Sequence, residues 1–215
     1  MSTSEAPYLL VLYYSRGGHT AELARTISRG ARDAAVTVDG RPLDVRLRTV
    51  PEVAPTTQTA APPVPDAGAV YCTKEELRQC SALALGSPTR FGNMAAPLKH
   101  FIDDTADLWM SQALVGKPAG VFCSTASQHG GQETTLLSMM LPLLHHGMVL
   151  AGLPYSEPKL AATTGGGTPY GPSNVSAAGQ NPATDGLISA DEAQLARAFG
   201  GRLAHLTARL YGAQG

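Results

Sequence analysis

Tyr8-Leu-Leu-Val-Leu-Tyr-Tyr-Ser-Arg-Gly-Gly-His-Thr20 is the stretch on which the fold turns. Tyr8 to Tyr14 form an apolar run of a length suited to a strand buried on both faces. The run breaks at Ser15-Arg16-Gly17-Gly18-His19-Thr20. A helix-period pattern follows, with Ala21, Leu23, Ala24, Ile27 and Ala31 on or near one face. A turn from a strand's carboxyl end to a helix's amino end gathers backbone N–H groups where the helix dipole favours negative charge. Two glycines lack Cβ atoms, so an anion can approach the backbone closely. Ser15, His19 and Thr20 add side-chain donors. The stretch reads as a phosphate cradle or, taken alone and equally well, as a βα turn with a Ser or Thr cap. It has neither the G-x-G-x-x-G of dinucleotide sites nor the Gly-Lys-Ser/Thr of a P-loop.

Outward from this stretch, strand and helix patterns alternate. Asp44–Val50 reads as a second strand, Lys74–Cys80 as a short helix and Ser81–Gly86 as a buried strand. Ser87-Pro-Thr-Arg-Phe-Gly-Asn-Met94 is a second polar turn, followed by a helix with Ala96, Leu98, Phe101 and Ile102 apolar. Lys117–Cys123 is a fourth strand, opening into a third polar loop, Ser124-Thr-Ala-Ser-Gln-His-Gly-Gly-Gln-Glu133. Thr134–His146 reads as a helix and Met148–Leu153 as a fifth strand. Asp191–Leu210 closes the chain as an amphipathic helix, with Ser189 and Glu192 spaced as a capping box. Residues 51–69 and 154–186 read as irregular excursions. The expected fold is α/β: a doubly wound, five-stranded parallel sheet with helices on both faces, one domain over 1–215 with a core from about 8 to 211. Ligands of such sheets bind beyond the carboxyl ends of the strands. The turns at 15–20, 87–94 and 124–133 all fall there, and that convergence points to a site.

Composition narrows the function classes. With 43% hydrophobic and 15% charged residues the chain is globular, and a formal net charge of −1 argues against nucleic acid as its partner. The low charge content favours oligomer interfaces. Cys72, Cys80 and Cys123 are odd in number and lack a C-x-x-C, which disfavours a disulfide framework or zinc site. His19 and His129 have no partner at metal-ligand spacing, so no metal is expected. No apolar run approaches the roughly 20 residues of a membrane span. The amino terminus has no signal-peptide pattern. A soluble, cytoplasmic protein with reduced thiols is expected.

Tyr-Tyr-Ser…Gly-His, Ser-Pro-Thr-Arg-Phe-Gly-Asn-Met, Ser-Thr-Ala-Ser-Gln-His-Gly-Gly-Gln-Glu, His-His-Gly-Met and Gly-Gly-Thr-Pro-Tyr-Gly occur in this order. Together, over about residues 8–211, they resemble the flavodoxin-like WrbA family of NAD(P)H:quinone oxidoreductases. The resemblance implies non-covalent FMN, with NADH or NADPH as hydride donor and a quinone as acceptor in a two-electron, ping-pong reaction. It assigns Ser15, Arg16, Gly17, Gly18, His19 and Thr20 to the ribityl phosphate. Thr89, Arg90 and Phe91 would line the isoalloxazine, with Pro88, Gly92 and Asn93 shaping the turn. Ser124, Thr125, Ala126, Ser127, Gln128 and His129 would cover its other side, with donors from Gly130 and Gly131. His145 would reach the pyrimidine end, while Trp109 would border the substrate. The resemblance also implies a homo-oligomer, a dimer or more typically a tetramer, whose sites are completed by neighbouring subunits. Gly17 departs from the aromatic residue many members carry there, which leaves the choice of hydride donor open. A flavodoxin-type electron carrier and a non-catalytic FMN-binding regulator are the alternatives. The absence of an acidic run near the ring favours the two-electron role. His146 reads as structural, and Asp103-Asp104 as a solvent-facing pair.

Overall fold

The computed structural model describes residues 5–54, 65, 67–176 and 186–212. In chain order these form β1 (Tyr8–Tyr13), α1 (His19–Asp33), β2 (Thr37–Val38), β3 (Arg41–Pro42), β4 (Asp44–Thr49), α2 (Lys74–Gln79), β5 (Ala82–Pro88) and α3 (Ala96–Asp103). α4 (Ala106–Met110), β6 (Pro118–Thr125), α5 (Gln132–His145), β7 (Val149–Leu150), α6 (Pro158–Ala162), β8 (Ser173–Val175) and α7 (Ala190–Gly212) follow.

The main sheet is parallel, in the order β4-β1-β5-β6-β7, with β8 also on β6. Every residue of β1 is buried, as its unbroken apolar run requires of a central strand. Its side chains alternate between two cores. Leu10 and Leu12 pack with Leu98 of α3 and Leu136, Met139 and Leu143 of α5. Leu9 and Val11 pack with Leu23 and Ile27 of α1 and Phe199 and Leu203 of α7. On that second face α1 and α7 cross at glycine. A Cβ on Gly200 would lie 2.0 Å from the Ile27 carbonyl, and one on Gly30 2.1 Å from that of Arg197.

The chain leaves β1 for β4 on one side and returns to β5 on the other. Their carboxyl ends therefore form the switch point where a crevice opens in sheets of this type.

Several sequence expectations shift. Ser124 and Thr125 belong to β6 and Pro88 to β5, because strand pairing continues through Pro88↔Ser124 and Thr125↔Val175. The fifth strand shrinks to Val149–Leu150, which pairs only with Pro118 and Ala119 at the start of β6. β8 pairs with its other end, at Cys123, Ser124 and Thr125. The fifth position is therefore shared by two short strands, and the tract 154–186 is not irregular throughout, since it holds α6 and β8. Gln180 and Asn181, at its far end, lie outside the described residues, as does much of the 51–69 excursion.

Glu192 binds this edge to α7. Its carboxylate, almost completely buried, accepts from the backbone N–H of Gly166 (2.9 Å), Val175 (2.9 Å) and Ser189 (2.7 Å) and from Asn174 Nδ2 (2.9 Å). The Glu192 N–H donates to Ser189 Oγ at 3.2 Å, which completes the expected capping box.

Candidate functional site

The ends of β1, β5, β6 and β8 enclose a cavity of about 290 Å³. Ser15, Arg16, Gly17, His19 and Thr20 form one wall, Pro88, Thr89 and Arg90 a second, Ser124, Thr125 and Ala126 a third, and Ser176 closes it. Among the described residues no carboxylate lines it. Gly18 starts α1 at φ +87°, a conformation that glycine adopts without a Cβ penalty. No side chain caps the helix, so its first N–H groups remain for another acceptor. Ser15 Oγ is buried and has no partner among the described residues. A buried hydroxyl in that state costs free energy unless something hydrogen-bonds to it. Thr20 Oγ1 lies 2.8 Å from Ser124 Oγ and joins two of the walls.

His19 behaves differently from expectation. Its Nδ1 lies 2.7 Å from the Leu187 carbonyl, which can only accept, so Nδ1 carries the hydrogen. In the neutral ring Nε2 is then an acceptor, and His19 can donate to an anion only as the imidazolium.

The second turn is held by reciprocal backbone bonds between Arg90 and Asn93, at 2.8 and 3.0 Å. Phe91 (φ +53°) and Gly92 (φ +78°) occupy its two central positions, the geometry of a type I′ turn. A fully exposed phenylalanine in that conformation stores strain on the order of 1 kcal/mol. Phe91, Gly92 and Asn93 stand beside the cavity rather than in its wall.

In the third loop the Gly130 N–H is engaged by the Ser127 carbonyl (3.1 Å), so it is not the free donor the sequence suggested. Gln128 Nε2 donates to the Thr164 carbonyl (3.3 Å) and the His129 N–H to Gln132 Oε1 (3.1 Å). Gly131 starts α5 at φ +102°. Ser127, Gln128, His129, Gly130 and Gly131 thus shape the loop, and the cavity wall itself ends at Ala126.

Trp109 and His145 meet elsewhere. With Ile102, Thr105, Leu141 and His146 they line a cavity of about 440 Å³ between the α3–α4 corner and the end of α5. His145 is the last residue of α5, roughly 20 Å along the helix from Gln132. One chain therefore does not bring His145 or Trp109 to its own cradle. Between them lies His146. The Thr105 hydroxyl donates to the Ile102 carbonyl (2.6 Å), so at 2.9 Å it accepts from His146 Nε2–H. His146 Nδ1 is left as a buried lone pair without a partner among the described residues. Burial, and then the neighbouring His145, hold the His146 pKa below its ordinary value.

Residues 9–156 match the family described as NADPH-dependent FMN reductase. A NAD(P)H dehydrogenase (quinone) of Solidesulfovibrio magneticus is 42% identical, over 94% of this chain and 98% of its own. The chain belongs to the NADPH-dependent FMN reductase family. Among solved structures, a flavodoxin, WrbA-like protein from Agrobacterium tumefaciens superposes with a TM-score of 0.63 at 20% identity, over 95% of this chain and 99% of that one. A flavodoxin from the domain Archaea gives 0.59 at 18% identity, over 93% and 98%. These two likenesses establish the flavodoxin-like fold.

The group implied by the FMN reductase family is FMN, and the cradle fits its phosphate. The orphaned Ser15 hydroxyl, the uncapped amino end of α1 and the acid-free lining are what a bound dianion requires. Sequence reasoning missed Ser176 in the wall and Gln132 beneath the third loop, where its Nε2 donates to Ser173 Oγ (3.0 Å). Neither sits in a pattern that periodicity could single out. Among the described residues no cluster of His, Cys, Asp and Glu could hold a metal, and no helix is long and apolar enough to cross a membrane. The three cysteines are free and buried; burial pushes the Cys80 thiol up to about 11.

Proposed function

We propose that this chain, as one domain, is an FMN-dependent NAD(P)H:quinone oxidoreductase that works by a ping-pong, two-electron cycle. The observation that carries the reading is the cradle at the switch point, which among the described residues has no acid in its lining and leaves the buried Ser15 hydroxyl unpartnered. FMN, when bound, supplies the reversible uptake and release of two electrons with a proton.

The chain's own residues bind and orient. Ser15, Thr20 and the first N–H groups of α1 hold the phosphate, and Arg16 adds the fixed positive charge of the first turn. Pro88, Thr89 and Arg90 on one side and Ser124, Thr125 and Ala126 on the other would hold the flavin. Tyr14 donates to Glu52 at 3.0 Å and keeps that carboxylate engaged. A lining without a carboxylate among the described residues favours the two-electron over the one-electron role. NADH or NADPH and then the quinone use the same opening in turn, which is the origin of ping-pong kinetics.

Trp109 and His145 contribute from a second copy in a homo-oligomer, a dimer or tetramer. Trp109, Met110, Leu141 and Leu144 are all more than half exposed on this face, an apolar surface that a second copy would cover. Three buried free thiols suit the cytoplasm.

Steady-state kinetics of the FMN-loaded protein test the reading. Varying NADPH at several fixed benzoquinone concentrations should give parallel double-reciprocal lines. Intersecting lines would overturn the ping-pong order. Absence of turnover with both nicotinamides would overturn the enzyme reading in favour of a carrier or a regulator.

A further inference from the structure

Cations in this protein are almost all engaged. Nine lysine and arginine side chains pair with Asp or Glu. Arg32, Arg41, Arg90 and Lys117 donate to backbone carbonyls. Among the described residues, the guanidinium groups left with neither hydrogen bond nor ion pair are those of Arg16, Arg202 and Arg209. Arg16 lines the cradle, where an anion is expected. Arg202 and Arg209 share a different cavity.

That second cavity, of about 430 Å³, lies between α7 and the turn Pro154–Glu157. Arg202, His205 and Arg209 recur at helical spacing, so one face of α7 presents all three. Pro154, Ala198 and Leu206 supply apolar walls, and Ser156 a hydroxyl. Among the described residues Glu157 is the one acid in the lining, and it pairs with neither arginine. The cavity is remote from the cradle. The amino end of α7 adjoins the cradle through the Leu187 carbonyl, and Arg202 lies roughly 18 Å further along the helix.

Elsewhere the chain neutralises exposed arginines with carboxylates, as Asp33 does for Arg197 one turn away on the same helix. Two like charges left together on a concave surface repel each other until an anion joins them. Arginine is the side chain suited to grip phosphate oxygens in a bidentate fork. The unpaired Glu157 carboxylate accepts from hydroxyl or amino groups, which a bare inorganic anion lacks.

We propose that this cavity is a second ligand site, taking a nucleoside phosphate. Arg202 and Arg209 hold the phosphate oxygens, Ser156 and His205 donate to them, and Glu157 accepts from sugar hydroxyls. Pro154, Ala198 and Leu206 pack on the base. The site is independent of the proposed reaction, since none of these residues lines the cradle.

The test is titration calorimetry of FMN-loaded protein with ADP, inorganic pyrophosphate and adenosine, in wild type and in the double variant R202A/R209A. Both arginines are exposed, so the variant should fold with unchanged melting temperature and FMN affinity. Wild type should bind ADP saturably at this site, and each lost arginine should weaken that binding roughly tenfold. Pyrophosphate and adenosine should each bind more weakly than ADP. ADP affinity unchanged in the double variant, or no ADP binding to wild type, would overturn the site. Pyrophosphate binding as tight as ADP would overturn its nucleoside part. A changed sedimentation mass in the double variant would overturn the proposal in favour of a subunit contact.

Discussion

Ser15 carries the cradle's chemistry in a single atom. Its hydroxyl is buried without a partner among the described residues, so they gain nothing from it. Ser15→Ala should therefore leave the melting temperature of the flavin-free protein unchanged or slightly raised. It should weaken FMN binding by about 1.5–3 kcal/mol, the worth of a hydrogen bond to a charged acceptor. Fluorescence titration and thermal melts check the two halves separately, and a stability loss without an affinity loss would sink the assignment. Ser15 was legible because it ends an apolar strand beside two glycines. The role of His19 was not, since its partner Leu187 lies 168 residues away. His146 adds a pH effect of definite sign. Its folded pKa lies below the ordinary 6.5, so the unfolded chain takes up the proton first. The stability it contributes is complete above about pH 6.5 and is lost as the pH falls below that, by at most about 1.4 kcal/mol per pH unit. Denaturant melts of His146→Asn between pH 5 and 7 should show a flatter pH dependence than wild type. The neighbouring His145 and Asp103 remain in the variant as its internal control.

At the scale of elements, the long apolar and amphipathic segments could be read and the short ones could not. β1, α1, α5 and α7 have enough residues for a period to repeat, and the Ser189–Glu192 box marked the start of α7. β8 is three residues long, and two of them, Ser173 and Asn174, are polar yet buried. Nothing local makes them a strand. They pair because β7 leaves the carboxyl end of β6 uncovered and because Glu192 takes their neighbours' N–H groups. Glu192→Gln replaces one carboxylate oxygen with a donor, so N–H groups that faced an acceptor would face an amide. A loss of about 2–4 kcal/mol is expected, comparable to breaking a buried network at one member. Because Ser176 follows β8 into the cradle, FMN affinity should fall as well. Hydrogen exchange would locate the loosening at 165–176; exchange unchanged there would refute the bracing role. Gly200→Ala separates packing from function. A methyl 2.0 Å from the Ile27 carbonyl must push α1 from α7, which should cost more than about 2 kcal/mol of stability while leaving the cradle's ligands in place.

At the scale of the whole molecule, the residues to which the proposed reaction assigns roles fall in two places that one chain does not unite. The cradle sits at the carboxyl ends of β1, β5 and β6, while Trp109 and His145 sit at the far end of α5. Thr105 and His146 lock α4 to that end, so Trp109 cannot swing over without breaking a buried hydrogen bond. An indole 56% exposed beside Met110, Leu141 and Leu144 gains from burial, at about 25 cal/mol per Å² of apolar surface removed from water. On the proposed reading, two or more copies would each set the Trp109 face against another's cradle. Sedimentation should then give a multiple of the 22.3 kDa chain mass. Leu141→Asp, at a position 59% exposed and far from the cradle, should shift the mass toward the monomer. It should lower quinone turnover while FMN binding persists, because the cradle's walls belong to one chain and the Trp109 face to another. A monomeric variant with full turnover would mean that the cradle and its own chain suffice, and Trp109 and His145 would lose their part in the reaction.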